Sequence, residues 1–236
     1  MELSSVISPK GAGNMQELPD FEKPWEYENG FYLTASSSRM AKMLAQYELF
    51  KQTMHLPGEV VECGVFKGAS FARFAMYRHL LLTGESKQLI GFDSFGPFPK
   101  TEFEEDKALL ESFTAKAGDT SITEEMMMKV LEHKGCAEEV ILVKGNICNT
   151  VPEYCEANPA LKISLLNLDT DVYEPAATIL DHLWPRIVPG GVLILDDYGV
   201  FPGETQAVDE YFAGDSKIEI KKFPFGRTPS YIVKPH

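Results

Sequence analysis

Five short, almost unbroken apolar runs constrain the fold of this chain more than any other feature: EVVEC (59–63), QLIGFD (88–93), EVILV (139–143), ISLLNL (163–168) and GVLILD (191–196). A strand with one wet face alternates apolar and polar residues. A run that is apolar throughout is covered on both faces, as in a parallel sheet with helices above and below. The segments between the runs supply those helices. GASFARFAMYRHLLL (68–82) has helical length, and a second helix from about Glu174 to Trp184 is closed by Pro185 and Pro189-Gly190-Gly191. A third, about Glu204–Phe212, follows the fifth run. Upstream, Met40, Met43, Leu44, Tyr47 and Phe50 recur at helical spacing between Ser37 and about Met54, with Ser36–Ser38 as N-cap candidates. The tail breaks the rhythm: KIEIKKF (217–223) and SYIVK (230–234) are joined only by PFGRTP. That link is too short for a crossover helix, so these two strands are expected to pair antiparallel.

A chain of 236 residues suits one such domain. The division expected is an N-terminal tail and helix over 1–56 and an α/β domain over 57–236. Residues 1–20 are polar and rich in Gly and Pro, and read as loosely held. Residues 95–135 interrupt the alternation and read as a mostly helical insertion, a lid or substrate element over the carboxyl ends of the strands, where open α/β sheets bind ligands. Within it the Met126–Met128 triplet reads as core packing in preference to a pliable substrate wall. With 35 acidic against 22 basic residues the net charge is −13, which argues against nucleic acid or an anionic membrane as a partner. Four cysteines form no Cys-x-x-Cys pair and five scattered histidines no His-x-x-x-His, so zinc is not expected. No early apolar run resembles a signal peptide and none approaches a membrane span, so the expected location is cytoplasmic.

The turn after the first run, VECGVFKGAS, places Glu62 at a strand end and Gly64 and Gly68 before a helix. A dinucleotide site wants G-x-G-x-x-G to bring backbone N–H groups onto a pyrophosphate. This loop is one glycine short and carries an acid. It suits S-adenosylmethionine better, which has no phosphate but an ammonium and a sulfonium. Asp93 ends the second run, where an acid accepts both ribose hydroxyls of an adenosine cofactor. Gly145, Asn146 and Asn149, after the third run, are placed to border the adenine. Ser70, in the first turn of the following helix, is grouped with these cofactor contacts.

The fourth run leads into Asp169 and Asp171, and the fifth ends in Asp196-Asp197. Neighbouring parallel strands end on one edge, so Asp169, Asp196 and Asp197 converge there, at a cost unless a cation lies between them. An all-oxygen set favours Mg²⁺ first, then Mn²⁺ or Ca²⁺. Such an ion leaves room for two adjacent hydroxyls of a substrate. Asp171, on the turn, is expected to take the proton of the acceptor hydroxyl, with capping of the Glu174 helix as its competing role.

A parallel α/β sheet closed by an antiparallel hairpin is the signature of a Rossmann-like class I methyltransferase core with seven strands. In order, ECGVFKG, GFDSFGPFP, LDTDVYEP, PGGVLILDDYG and AVDEYF resemble the macrocin O-methyltransferase (TylF-type) family over about residues 57–215. The resemblance implies an enzyme dependent on S-adenosylmethionine and Mg²⁺ that methylates sugar hydroxyls. It implies Asp169, Asp196 and Asp197 as metal ligands, Asp171 as general base, and Glu62, Gly64, Asp93 and Ser94 as cofactor contacts. The expected partners are a small diol, a deoxysugar above all, and further copies of the chain in a dimer or larger homo-oligomer. A catechol-type acceptor and a non-catalytic S-adenosylmethionine-binding module remain the alternatives.

Overall fold

The structure is a computed structural model that describes residues 17–82 and 87–236. Most of the stretch read as a loosely held tail, 1–16, lies outside those residues. Helices α1 (Pro24–Thr34) and α2 (Ser37–Thr53) lead into β1 (Glu59–Cys63), α3 (Ala69–Leu81) and β2 (Leu89–Asp93). Then come α4 (Glu104–Ala117), α5 (Glu124–His133), β3 (Val140–Lys144), α6 (Ile147–Ala157), β4 (Ile163–Leu168) and α7 (Tyr173–Leu183). A 3₁₀ turn at Trp184–Arg186 precedes β5 (Ile187–Leu195), α8 (Pro202–Tyr211), β6 (Lys221–Lys222) and β7 (Ser230–Val233). The sheet order is β3-β2-β1-β4-β5-β7-β6. The first five strands run parallel, and β7 is antiparallel to both β5 and β6.

Successive residues of each central strand feed opposite layers, as the two-residue period requires. Val61, Ile90, Leu166 and Leu193 pack with Val151 of α6 and Ile179 of α7. Their neighbours Val60, Leu89, Leu165 and Val192 pack with Phe50 of α2 and Phe71 of α3. The strands are therefore apolar throughout because both faces are covered. Met127 is fully buried in the second layer, so the methionine triplet contributes to the core, as its composition suggested.

Several elements differ from the reading of the sequence. Helix α1 has no buried residue, with Trp25 75% and Leu33 84% exposed, so no apolar periodicity announces it. Helix α6 contains Pro152, which discourages a helix from sequence. It starts all the same because the Asn146 side chain accepts a hydrogen bond from Cys148 N at 3.0 Å. Strand β5 begins four residues early, at Ile187. The register jumps from Ile163↔Ile187 to Leu165↔Val192, so Pro189-Gly190 is taken up inside an irregular strand rather than ahead of it. In the tail only Lys221–Lys222 of the expected 217–223 strand pairs. Ser36 holds the N-cap position of α2, but its hydroxyl meets Ser38 Oγ instead of a backbone N–H.

The 95–135 insertion forms α4 and α5, and it is locked to the sheet by exchanged caps. Asp106 is the buried residue of α4, with Oδ1 accepting from Gly203 N at 2.8 Å and Oδ2 from Tyr173 N at 3.2 Å. One carboxylate thus serves the starts of both α7 and α8, where exposed N–H groups favour negative charge. In return, Glu174 of α7 accepts from Glu102 N at 2.8 Å, Phe103 N at 3.2 Å and Thr101 Oγ1 at 3.0 Å, at the start of α4. A Cβ at residue 203 would collide with the Asp106 carboxylate, so glycine is required there by space alone. Asp106→Ala leaves two N–H groups unpaired beneath α4 and is expected to cost about 1–3 kcal/mol. Urea denaturation checks this, and unchanged stability would mean that the helix starts are served by water.

Candidate active site at the carboxyl edge of the sheet

Backbone bonds continue past the strand ends and draw the edge together. Gly64 N donates to Phe92 O at 2.8 Å, Asp169 N to Cys63 O at 2.9 Å, and Asp196 N to Leu168 O at 3.0 Å. Gly64, at φ +95°, lies so close to the Asp169 carbonyl that no Cβ fits between them. Gly68, at φ +81°, opens α3 under Met127, whose Sδ would stand 2.6 Å from a Cβ. Phe66, between them, is itself in the left-handed region at φ +48°, and its N–H is held by Asp93 Oδ2 at 2.9 Å.

Asp93 therefore shapes the loop as well as offering an acceptor. Its Oδ1 accepts from Phe95 N at 2.7 Å and from Ser94 Oγ at 3.3 Å. A carboxylate has roughly four acceptor directions, and these bonds occupy most of them. Glu62 is fully buried on β1, and Oε1 accepts from Asn167 Nδ2 at 2.9 Å while Oε2 has no hydrogen-bond partner. Burial pushes its carboxyl up to about 7, against the opposing pull of Ser70 and Asn167. Gly145 sits at φ +143°, tied by its N–H to Asp93 O at 2.9 Å, and Asn146 and Asn149 are exposed at the start of α6.

At the ends of β4 and β5, carboxylate oxygens of Asp169, Asp171 and Asp197 all lie within 4.8 Å of one another. Burial is the main force raising each above the carboxylate range, and repulsion by neighbouring acids adds to it. Asp171 is pushed to about 7 and Asp197 to about 9, and Asp169 is raised well above its usual value. Asp171 adopts φ +65°, an uncommon conformation for a residue with a side chain, and holds a carboxylate oxygen within 4.8 Å of one of Asp197. It does not cap α7. The N-cap position belongs to Val172, which makes no side-chain cap bond, and the Tyr173 N–H goes to Asp106.

Two residues of this edge gave no signal in the sequence. Glu204, fully buried in the first turn of α8, accepts from Asp197 N at 3.0 Å through Oε1, leaving Oε2 without a partner. Burial and the nearby Asp197 raise its carboxyl well above the ordinary value. Lys42, on α2, pairs through Nζ with Asp196 Oδ2 and lies 3.9 Å from Asp169 Oδ2. Burial alone would push its ammonium down, but the two aspartates outweigh that and raise it. Of the trio expected from sequence, Asp169 and Asp197 fall in the tight carboxylate group. Asp171 takes the third place there, and Asp196 faces the lysine. Repelling carboxylates and buried oxygens without partners, on Asp196, Glu204 and Glu62, fit a hard divalent ion and an ammonium-bearing cofactor.

Comparison with known proteins agrees with this architecture. The family profile described as Macrocin-O-methyltransferase (TylF) matches residues 30–221. Among curated relatives, 8-demethyl-8-(2,3-dimethoxy-alpha-L-rhamnosyl)-tetracenomycin-C 4'-O-methyltransferase of Streptomyces olivaceus is 27% identical over 61% of this chain and 54% of its own length. Mycinamicin III 3''-O-methyltransferase of Micromonospora griseorubida is 27% identical over 66% of this chain and 61% of its own. Demethyldecarbamoylnovobiocin O-methyltransferase of Streptomyces niveus is 28% identical over 67% and 60%. The chain thus spans little more than half the length of the curated relatives it matches. Among solved structures, the calicheamicin methyltransferase CalS11 superposes with TM-score 0.68 at 24% identity, over 89% of this chain and 84% of its own. The O-methyltransferase NovP gives 0.69 at 22%, over 83% and 80%. These likenesses establish the class I methyltransferase fold.

A carboxyl whose pKa is raised on folding stabilises the protein below its unfolded value and loses that contribution as pH rises through the folded one. For Glu62 the window runs from its ordinary 4.5 to about 7. Glu62→Gln keeps an oxygen for Asn167 and removes the buried charge. The ligand-free variant is expected to melt above the parent at pH 8 and to show a flatter stability profile between these limits. Equal slopes in calorimetric melting across that range would show that Glu62 is already stabilised by a neighbour.

Proposed function

Because the chain belongs to the macrocin O-methyltransferase (TylF) family, matched over residues 30–221, we propose that it methylates a hydroxyl of a small vicinal diol at the carboxyl edge of its sheet. The acceptor is a deoxysugar in a glycoside or nucleotide-sugar, the methyl donor S-adenosylmethionine, and the required ion Mg²⁺. The observation that carries the reading is the group of Asp169, Asp171 and Asp197, converging within 4.8 Å beside the glycine loop that follows buried Glu62 of β1. The sugar specificity is supported by relatives whose names specify a rhamnosyl 4'-O and a mycinamicin 3''-O position, and by a likeness to a TDP-rhamnose 3'-O-methyltransferase.

Each residue has a definite task in this reading. Glu62 presents a buried oxygen without a partner, suited to the cofactor ammonium. Ser70 lies beside that carboxylate. Gly64 and Gly68 let the loop approach the cofactor without side chains in the way. Asp93, already holding Phe66 N and Phe95 N, keeps an acceptor direction on Oδ2 for one ribose hydroxyl rather than the two expected. Ser94, Gly145, Asn146 and Asn149 border the nucleoside. Asp169, Asp196 and Asp197 are the residues that would hold the ion, Asp196 through the Oδ1 that Lys42 leaves without a partner. Asp171 is spared from capping and poised near pH 7, so it accepts the proton of the acceptor hydroxyl. When bound, S-adenosylmethionine supplies an electrophilic methyl group and Mg²⁺ supplies charge that lowers the pKa of the diol. The protein's contribution is then alignment for an in-line transfer.

Titration calorimetry tests the cofactor half. S-adenosylhomocysteine is expected to bind in the micromolar range, about −8 kcal/mol, with Asp93→Ala abolishing the heat and NAD giving none. Binding of NAD in its place would end the methyltransferase reading. For the acceptor half, turnover of a rhamnosylated acceptor is expected to stop in chelator with S-adenosylhomocysteine affinity unchanged. Asp171→Asn is expected to lower turnover by about 10²–10⁴. A variant at full rate with only a lower melting temperature would make Asp171 structural.

A further inference from the structure

Where α2 and α3 pack over the sheet, behind the glycine loop, an arginine makes no ion pair with any described residue. Arg73 lies on α3 three residues after Ser70, so the two share a face of the helix. Its Nε donates to Gln46 Oε1 at 2.9 Å, and among the described residues no acceptor meets either of its terminal nitrogens. Gln46 is fully buried on α2, and its own Nε2, on the same amide, is a donor without an acceptor. Toward the loop the imbalance reverses. Glu62 Oε2 and Asn167 Oδ1 are buried acceptors without donors, on side chains linked by the bond from Asn167 Nδ2 to Glu62 Oε1 at 2.9 Å. Arg73 is near enough for its charge to draw the Glu62 carboxyl down, and Ser70 bonds to that carboxyl directly. Lys42, one turn along α2 from Gln46, is already taken by Asp196.

Native structures leave few buried polar atoms unpaired, because each one forfeits its bonds to water. Donors and acceptors that stand this near and still do not pair are complementary to a third party carrying both kinds of group. An α-amino acid is such a party: its ammonium donates, its carboxylate accepts, and both sit on one carbon. We propose that Arg73, together with Gln46, binds the carboxylate of the amino-acid end of the cofactor, opposite the Glu62 oxygen that takes its ammonium. The proposal rests on the cofactor half of the reading above. A guanidinium is a planar fork that matches a carboxylate with two parallel hydrogen bonds. Gln46 serves it twice. Its Oε1 fixes the guanidinium through Nε, which leaves the two terminal nitrogens for the ligand, and its Nε2 adds a further donor. In a chain of net charge −13, an arginine kept off every acid remains available to an incoming anion. Helix α2 thereby belongs to the cofactor site as well as to the cover of the sheet. Water also satisfies unpaired buried atoms, but it does not select for a carboxylate.

Titration calorimetry on the full chain tests this with two probes: S-adenosylhomocysteine, and S-adenosyl-3-thiopropylamine, the same molecule without its carboxylate. The parent is expected to bind the first at least about tenfold more tightly than the second. Arg73→Met is expected to bring that ratio to within about threefold of unity, by weakening S-adenosylhomocysteine alone. Arg73→Lys, which keeps the charge and loses the fork, should leave an intermediate ratio, and Gln46→Leu should lower the ratio by about threefold or more. Glu62→Gln is the contrast: it removes the partner of the ammonium, so it weakens both probes together and keeps the ratio within about threefold of the parent. Urea melts accompany each variant, and if Arg73→Met does not fold, Arg73→Lys and Gln46→Leu decide by the same ratio. Equal affinity of the parent for the two probes, or a parental ratio in the Arg73 and Gln46 variants that fold, overturns the proposal and leaves Arg73 as a support of the helix pair. No heat from S-adenosylhomocysteine in the parent refutes the cofactor reading itself, and the proposal with it.

Discussion

Carboxylates at the ends of neighbouring parallel strands repel one another, and this repulsion organises the carboxyl edge of the molecule. The backbone ladder continues past β1, β4 and β5, so Asp169 and Asp196 cannot draw apart without breaking bonds from Asp169 N and Asp196 N. Three kinds of relief are visible. Lys42 takes one acid, backbone N–H groups take others, and the remaining carboxyls rise in pKa until protons are retained near neutral pH. The divalent ion proposed above would be a fourth, and it would also offer sites to a substrate. The glycine loop depends on the same crowding, because Gly64 is pressed against the Asp169 carbonyl.

How much of this was legible follows from the range of each interaction. The strands were readable because burial on both faces leaves no polar alternation, and the antiparallel tail because six residues cannot carry a crossover. The strand-end acids were readable because position along a strand fixes which edge they reach. Lys42 was not, since its partner lies 154 residues away and an isolated lysine in an amphipathic helix looks like solvated surface. Glu204 resembled an ordinary first-turn acid. Helix α1 buries nothing and so left no pattern, and α6 was obscured by Pro152. The choice between Asp171 and Asp196 as the third member of the carboxylate group needed the left-handed turn at Asp171, which no local rule demands of an aspartate.

The exchanged caps also give Asp171 its freedom. The first turn of α7 needs a side-chain oxygen for its exposed N–H groups, and the residues just before the helix supply none. Asp106 supplies that oxygen from the insertion instead, so the aspartate ahead of α7 is not consumed by the helix. Packing of Phe98 and Phe113 on Phe66, with ring centroids 6.0 and 5.5 Å apart, extends the same attachment to the glycine loop. An element inserted far from β1 in sequence thereby stiffens both halves of the edge.

That arrangement has a consequence for how such chains diverge. The segment 101–106, the turn 171–174 and Gly203 form one interdependent block, since each supplies a donor, an acceptor or the space another requires. Change in any one of them is tolerated only with matched change in the others, so the block should be inherited as a unit. The connection between α4 and α5, at Gly118–Thr123, carries none of these cap bonds. It is tied instead to the glycine loop and the segment after β2, with Ile122 N donating to Phe66 O, Ser121 N to Gly96 O and Phe98 N to Asp119 O, each at 2.7 Å. Lengthening that connection would therefore pull on Phe66 and with it on the glycine loop, so the insertion is constrained at both of its ends and drifts only as a whole.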